Sequence, residues 1–189
     1  MDRVERLIAL FHRRWGMPIL AELERSGGAK FVTLVHRVGR AGDGSGGGGG
    51  GGGASEGAVR QALDDLIARG WVRRNPGYGH PLRPEYILTR AGGRIAPVCV
   101  RLEDALDSVG ARAVALRKWS MPVLDAVADG PRRFRQIAEH LTGITDRALA
   151  IALKDLSSSD LIERQEADPT AIYRGTPRGL VLAPVLAEL

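Results

Sequence analysis

Arg14-Trp15-Gly16-Met17-Pro18-Ile19-Leu20 returns 104 residues later as Lys118-Trp119-Ser120-Met121-Pro122-Val123-Leu124, and the fold turns on that echo. Working outward, Phe31-Val32-Thr33-Leu34 answers Phe134-Arg135-Gln136-Ile137, and Leu63-Asp64-Asp65-Leu66 answers Leu153-Lys154-Asp155-Leu156. Trp71-Val72 with Arg74 answers Leu161-Ile162 with Arg164. Tyr86, Thr89 and Gly92 match Tyr173, Thr176 and Gly179, and Ile95-Ala96-Pro97-Val98 matches Leu182-Ala183-Pro184-Val185. The matches are collinear, so the chain reads as two copies of one unit, 1–107 and 108–189.

Periodicity gives each copy the same series of elements. In the second, Val123, Leu124 and Val127 form an apolar helical stripe that stops at Gly130-Pro131. Phe134, Ile137, Ala138 and Leu141 form another, halted at Gly143. Thr145 is a good N-cap for a third helix burying Leu149, Ala152, Leu153 and Leu156. Two strands follow, Leu161 to Gln165 and Ile172 to Thr176, around a turn at Asp168-Pro169. Helix, helix, helix, strand, strand is the winged helix-turn-helix order. The expected fold is therefore mainly α with small β-hairpin wings (α+β). In such a unit the third helix enters the major groove of double-stranded DNA while the hairpin touches the flanking backbone.

Composition agrees. The 189 residues carry 27 Lys and Arg against 22 Asp and Glu, a net charge of +5 that favours a polyanionic partner. The excess is +4 in residues 1–107 and +1 in 108–189. A lone cysteine, Cys99, rules out an internal disulfide and a cysteine-rich zinc site, and a reducing cytoplasm is expected. The first residues, MDRVERLIALFHRRW, interleave charge with apolar side chains unlike a signal peptide, and no apolar run is long enough to span a membrane.

The residues resemble the HxlR family, a MarR-related branch of the winged-helix regulators. The resemblance lies in Val4-Glu5-Arg6-Leu7-Ile8-Ala9-Leu10, Arg14-Trp15, Ile19-Leu20, Phe31, Leu34 and the wing-like run from Arg83 to Gly92. It continues through Gly130-Pro131-Arg132-Arg133-Phe134 and Gly143-Ile144-Thr145-Asp146-Arg147-Ala148-Leu149, which look like a helix entry and the start of a recognition helix. The resemblance implies a DNA-binding transcriptional regulator, a repressor, controlled by a small-molecule effector. Family members pair as homodimers on pseudo-palindromic operators. Two tandem copies in one chain would make that pairing an intramolecular pseudo-dimer, with effective concentrations on the order of millimolar for short linkers. The expected state is a monomeric pseudo-dimer or a homodimer.

Three features depart from the family pattern. Neither copy has a cysteine before its first helix, where thiol-sensing relatives place one. A glycine-rich tract, 39–53, with eight consecutive glycines from Gly46, separates the second helix of the first copy from its third. It lengthens the connection by 13 residues relative to the second copy. Closing the longer loop costs only about 0.6–1 kcal/mol, so folding should survive it, but it replaces a tight turn near DNA with a random-coil segment. Finally, the third helices are not basic stripes: Glu56, Asp64 and Asp65 outnumber Arg60 in the first, and Asp146 and Asp155 balance Arg147 and Lys154 in the second.

Arg147, Lys154, Arg60 and Gln61 are the candidate base contacts, because Arg and Lys suit guanine and Gln suits adenine. Arg73, Arg74, Arg83, Arg132, Arg133, Arg135, Arg164 and Arg174, near helix ends and wings, are the candidate phosphate contacts. Solvated surface is the competing reading for all of them. Trp15 and Trp119 read first as helix anchors in the core and, alternatively, as walls of a pocket for a small aromatic effector. The run Gly42-x-Gly44-x-x-Gly47 fits a dinucleotide motif only literally, since no strand precedes it. Four scattered histidines lack ligand spacing, and no nucleophile elbow is present, so neither a metal, a cofactor nor an enzyme is expected. The alternative function is a winged-helix ligand-binding or sequestration protein that has lost specific operator binding.

Overall fold

The computed structural model describes residues 1–42, 54–77 and 84–189. They form two compact units, one continuous (Arg13–Glu103) and one discontinuous, in which Met1–His12 joins Asp104–Leu189.

The chain opens with α1 (Arg3–Leu10), which belongs to the discontinuous unit. A capping box starts it: the Asp2 carboxylate accepts from the Glu5 amide at 2.8 Å, and the Glu5 carboxylate accepts from the Asp2 amide at 3.0 Å. Its apolar face buries Leu7 and Leu10.

The continuous unit comprises α2 (Gly16–Ser26), β1 (Ala29–Lys30), α3 (Phe31–Gly42), α4 (Glu56–Ala68), β2 (Val72–Arg74), β3 (Glu85–Leu88) and most of α5 (Gly92–Ser108). Gly27, at φ 71°, ends α2 in the left-handed conformation that glycine tolerates best. Helix α3 runs four residues into the glycine-rich tract; residues 43–53 of that tract lie outside the described residues. The core gathers Leu20, Leu23, Leu34, Leu63, Leu66 and Leu102. Buried Glu103 on α5 is satisfied by Arg25 of α2 at 2.5 Å.

The discontinuous unit continues with α6 (Arg112–Ala115), α7 (Ser120–Ala126), β4 (Arg132–Arg133), α8 (Phe134–His140), α9 (Asp146–Ser158), β5 (Ile162–Gln165), β6 (Ile172–Gly175), α10 (Pro177–Leu180) and α11 (Ala183–Ala187). Leu124, Leu149, Leu153, Leu156 and Leu186 fill its core. Asp125 of α7, 5% exposed, accepts two hydrogen bonds from the Arg3 guanidinium at 2.7 and 3.0 Å, fixing α1 to this unit.

Each unit has a three-stranded antiparallel sheet, ordered β1-β3-β2 and β4-β6-β5. The wing hairpins pair Val72 with Leu88 and Arg74 with Tyr86, and Ile162 with Gly175 and Arg164 with Tyr173. Where the sequence predicts two strands per copy, the structure adds a third: two-residue β1 and β4 join the far edge of each hairpin. Two residues are too short to show an alternating pattern, which is why periodicity misses them.

The Tyr-x-x-Thr-x-x-Gly repeat has a geometric cause. Thr89 donates through its hydroxyl to the Gly70 carbonyl at 2.6 Å and accepts from the Gly92 amide at 3.1 Å. Thr176 does the same with the Asp160 carbonyl at 2.7 Å and the Gly179 amide at 3.0 Å. A Cβ on Gly92 would lie 2.0 Å from the Trp71 carbonyl oxygen, and one on Gly179 2.0 Å from that of Leu161. Threonine thus caps the helix after the wing, and only glycine lets that helix approach the strand.

Candidate nucleic-acid interface

The third helices, α4 and α9, are built alike. Ser55 caps α4 by accepting from the Ala58 amide at 3.3 Å, and Thr145 caps α9 by accepting from the Ala148 amide at 3.2 Å. Val59, Ala62, Leu63 and Leu66 turn inward on α4, as do Leu149, Ala152, Leu153 and Leu156 on α9. The 3.6-residue repeat then fixes what remains outside: Gly57, Arg60, Gln61 and Asp64 on α4, and Arg147, Ala150, Ile151 and Lys154 on α9.

The base-contact candidates divide between the two helices. Arg147 and Lys154 are exposed and meet no hydrogen-bond or ion-pair partner among the described residues. On α4, the Arg60 guanidinium lies over the Phe31 ring, 4.2 Å from its centroid, and the Gln61 side-chain oxygen accepts from Arg13 at 3.4 Å. Both α4 candidates already have partners within the unit.

The acidic residues also sort differently from the sequence expectation. Asp65 is not an outward charge: it is 23% exposed and ion-paired with Arg69 one turn on, at 2.7 Å. Asp155 is equally exposed and paired with Arg117. With Asp155 neutralised, the outer face of α9 carries Arg147 and Lys154 against Asp146. That of α4 carries Arg60 against Glu56 and Asp64.

The phosphate-contact candidates sort by wing. Arg73 and Arg74 on β2 are exposed, with no acidic partner among the described residues. On the other wing Arg164 pairs with Glu166, and Arg174 pairs with Glu163, directly across the hairpin. Arg133 on β4 is exposed and donates to the Asp168 carbonyl at 3.1 Å, Arg132 beside it is half-buried, and Arg135 is exposed in the first turn of α8. Arg83 lies outside the described residues. Sequence reasoning missed both neutralising glutamates: Glu163 meets Arg174 only through cross-strand register, fixed once the hairpin closes, whereas Glu166 lies two residues after Arg164 and was open to local inspection.

Trp15 is buried at the start of α2 with Arg14 4.8 Å from its ring centroid, and half-buried Trp119 holds the matching place before α7 with Lys118 at 5.0 Å. A cavity of about 360 Å³ in the discontinuous unit is lined by Val127, Pro131, Glu163, Arg174, Pro177 and Leu180, and not by Trp119. Cys99 on α5 is fully buried, and burial, reinforced by Glu103, pushes its thiol pKa up, disfavouring the reactive thiolate. No helix among the described residues is long and apolar enough to cross a membrane.

Comparison with known proteins bears on this geometry. The HxlR-like helix-turn-helix family matches residues 114–189. The HTH-type transcriptional regulator YodB of Bacillus subtilis is 32% identical over 95 residues, covering 49% of this chain and 80% of that protein. YvaP of the same organism, an uncharacterized HTH-type transcriptional regulator, is 30% identical over 95 residues, with 49% and 82% covered. A further uncharacterized HTH-type transcriptional regulator, from Methanothermobacter thermautotrophicus, is 34% identical over 91 residues, with 47% and 65% covered. No solved structure matches.

Proposed function

Because this chain belongs to the HxlR-like helix-turn-helix family and is a DNA-binding transcriptional regulator, we propose that it is a repressor that reads an asymmetric operator with two unequal winged-helix units on one polypeptide. The two copies, residues 1–107 and 108–189, stand in for the two protomers of a homodimer. The observation that carries this reading is α9, a capped helix presenting Arg147 and Lys154 on its outer face with no partner among the described residues, while its acidic Asp155 is held by Arg117. Matched caps, sheet orders and threonine-glycine junctions support a second reading element in α4. On α4, Arg60 and Gln61 are the base contacts of the weaker half-site; Arg73 and Arg74 on β2 supply phosphate grip, to which Arg83 adds. In the other copy that grip comes from Arg132, Arg133 and Arg135, with Arg164 and Arg174 reduced by their glutamates. Repression follows from occupancy, since a chain lying across its operator blocks polymerase. A small aromatic effector acting at the half-buried Trp119 completes the reading, in a regulator acting in the cytoplasm.

The test is binding to the DNA upstream of its own gene against random duplex, across a salt series, with footprinting and light scattering. The expected result is a steep fall of log affinity with log salt, a specific excess of at least about a thousandfold, and unequal protection of two half-sites by one chain or a pair of chains. Weak binding that is identical on both duplexes would overturn operator recognition; equal protection of a perfectly symmetric site by one chain would overturn the unequal reading.

A further inference from the structure

We propose that Ile151 reads the 5-methyl group of a thymine in the half-site bound by α9, a deepening that rests on α9 being the reading helix. Among the described residues large apolar side chains are left exposed at only five places, and Ile151, 52% exposed, is the one on α9. It stands four residues after Arg147 and three before Lys154, so the three share one face of the helix. An isolated apolar group between two unpartnered cations gains nothing from water, and it fits a surface that is anionic at its edges and carries a methyl group at its centre. The major groove at an A·T pair is such a surface, with phosphates on either side and the thymine methyl projecting inward.

The helix sets the spacing. Four residues rise about 6 Å and a base-pair step about 3.4 Å, so with α9 along the groove the thymine lies about one to three base pairs from the guanine met by Arg147. On α4 the same position holds Gln61, whose amide suits adenine. The two helices therefore ask for different bases at equivalent places, which makes the operator asymmetric in a stated way.

The test uses the full-length protein. Operators are selected from randomised duplexes, and each selected thymine is then replaced by deoxyuridine, which removes only the methyl. At one such position the replacement should weaken the native protein about 3- to 10-fold and leave Ile151→Ala indifferent, while Ile151→Gln should shift the selected base toward adenine. Alanine at this exposed helical site favours the helix, and circular dichroism checks that the fold is kept. If Ile151→Ala and the native protein respond alike to every replacement while Arg147→Ala still loses affinity, α9 reads DNA and the thymine contact is refuted. If Arg147→Ala and Ile151→Ala both leave affinity and selected sequence unchanged, the reading role of α9 falls, and the thymine contact with it.

Discussion

Beneath α4, Val59, Ala62, Leu63 and Leu66 enter one core; beneath α9, Leu149, Ala152, Leu153 and Leu156 enter another at the same spacing. On the outside the helices part company at each of four exposed positions, where Gly57, Arg60, Gln61 and Asp64 correspond to Arg147, Ala150, Ile151 and Lys154. The inner face answers to packing, where even a methylene is felt, whereas surface changes usually stay within about 0.5 kcal/mol. The outer face is thus free to take up a different binding task in each copy. The wings differ in the opposite sense. Among the described residues, where the helix offers cations without partners, the hairpin's arginines are tied to Glu163 and Glu166; where the helix candidates are occupied, Arg73 and Arg74 have no acidic partner.

The sharpest way to test the shared half of this comparison is at the junction glycines. Gly179→Ala and Gly92→Ala each drive a Cβ onto a backbone carbonyl that cannot yield, and each should destabilise its own unit by about 3 kcal/mol or more, read by thermal melting. Equal losses would confirm that the junctions are equivalent; a silent Gly92→Ala would break the equivalence. The unshared half is tested on DNA. Arg147→Ala should cost about 1–3 kcal/mol of specific binding, measured by anisotropy on the selected operator. Arg60→Ala should cost less, because Arg60 is engaged with Phe31. A larger loss from Arg60 would reverse the assignment of the two helices. Replacing Arg73 and Arg74 together should lower the slope of log affinity against log salt by roughly two, and the pair Arg164 and Arg174 should lower it less. The smallest effect is at Asp160, which sits at φ 54° where Gly70, its counterpart, sits at 72°. Asp160→Gly should stabilise by up to about 1 kcal/mol by removing a left-handed side-chain penalty, and a lower melting temperature would show that Asp160 serves another purpose.

Helix periodicity was enough to place the buried face of α9 residue for residue, and Thr145 was legible as its cap because a hydroxyl before an apolar stripe has few other uses. Strand β4 was not legible, since Arg132 and Arg133 look like charge and not like a sheet edge. The partners of the helix aspartates divided in the same way. Asp65 to Arg69 is a one-turn spacing open to inspection, whereas Asp155 finds Arg117 only after the chain has folded back across 38 residues. Periodicity already left Ile151 outside the buried face, but scattered surface hydrophobics are ordinary and a sequence does not say how far one is exposed. The exposure of Ile151 becomes meaningful only when the inward face is known to be complete without it.

The membership of α1 in the unit formed with Asp104–Leu189 has a consequence in time. A ribosome adds roughly 5–20 residues each second, so α1 waits several seconds for the residues it packs on. Meanwhile Arg13–Glu103 has everything it needs to collapse. During that interval Leu7 and Leu10 have no permanent home, and Arg3 has no Asp125. A nascent chain arrested before Asp104 would carry one finished unit and one orphaned helix. A bulky tag fused ahead of Asp2 would burden the unit that closes only once Asp104–Leu189 is made.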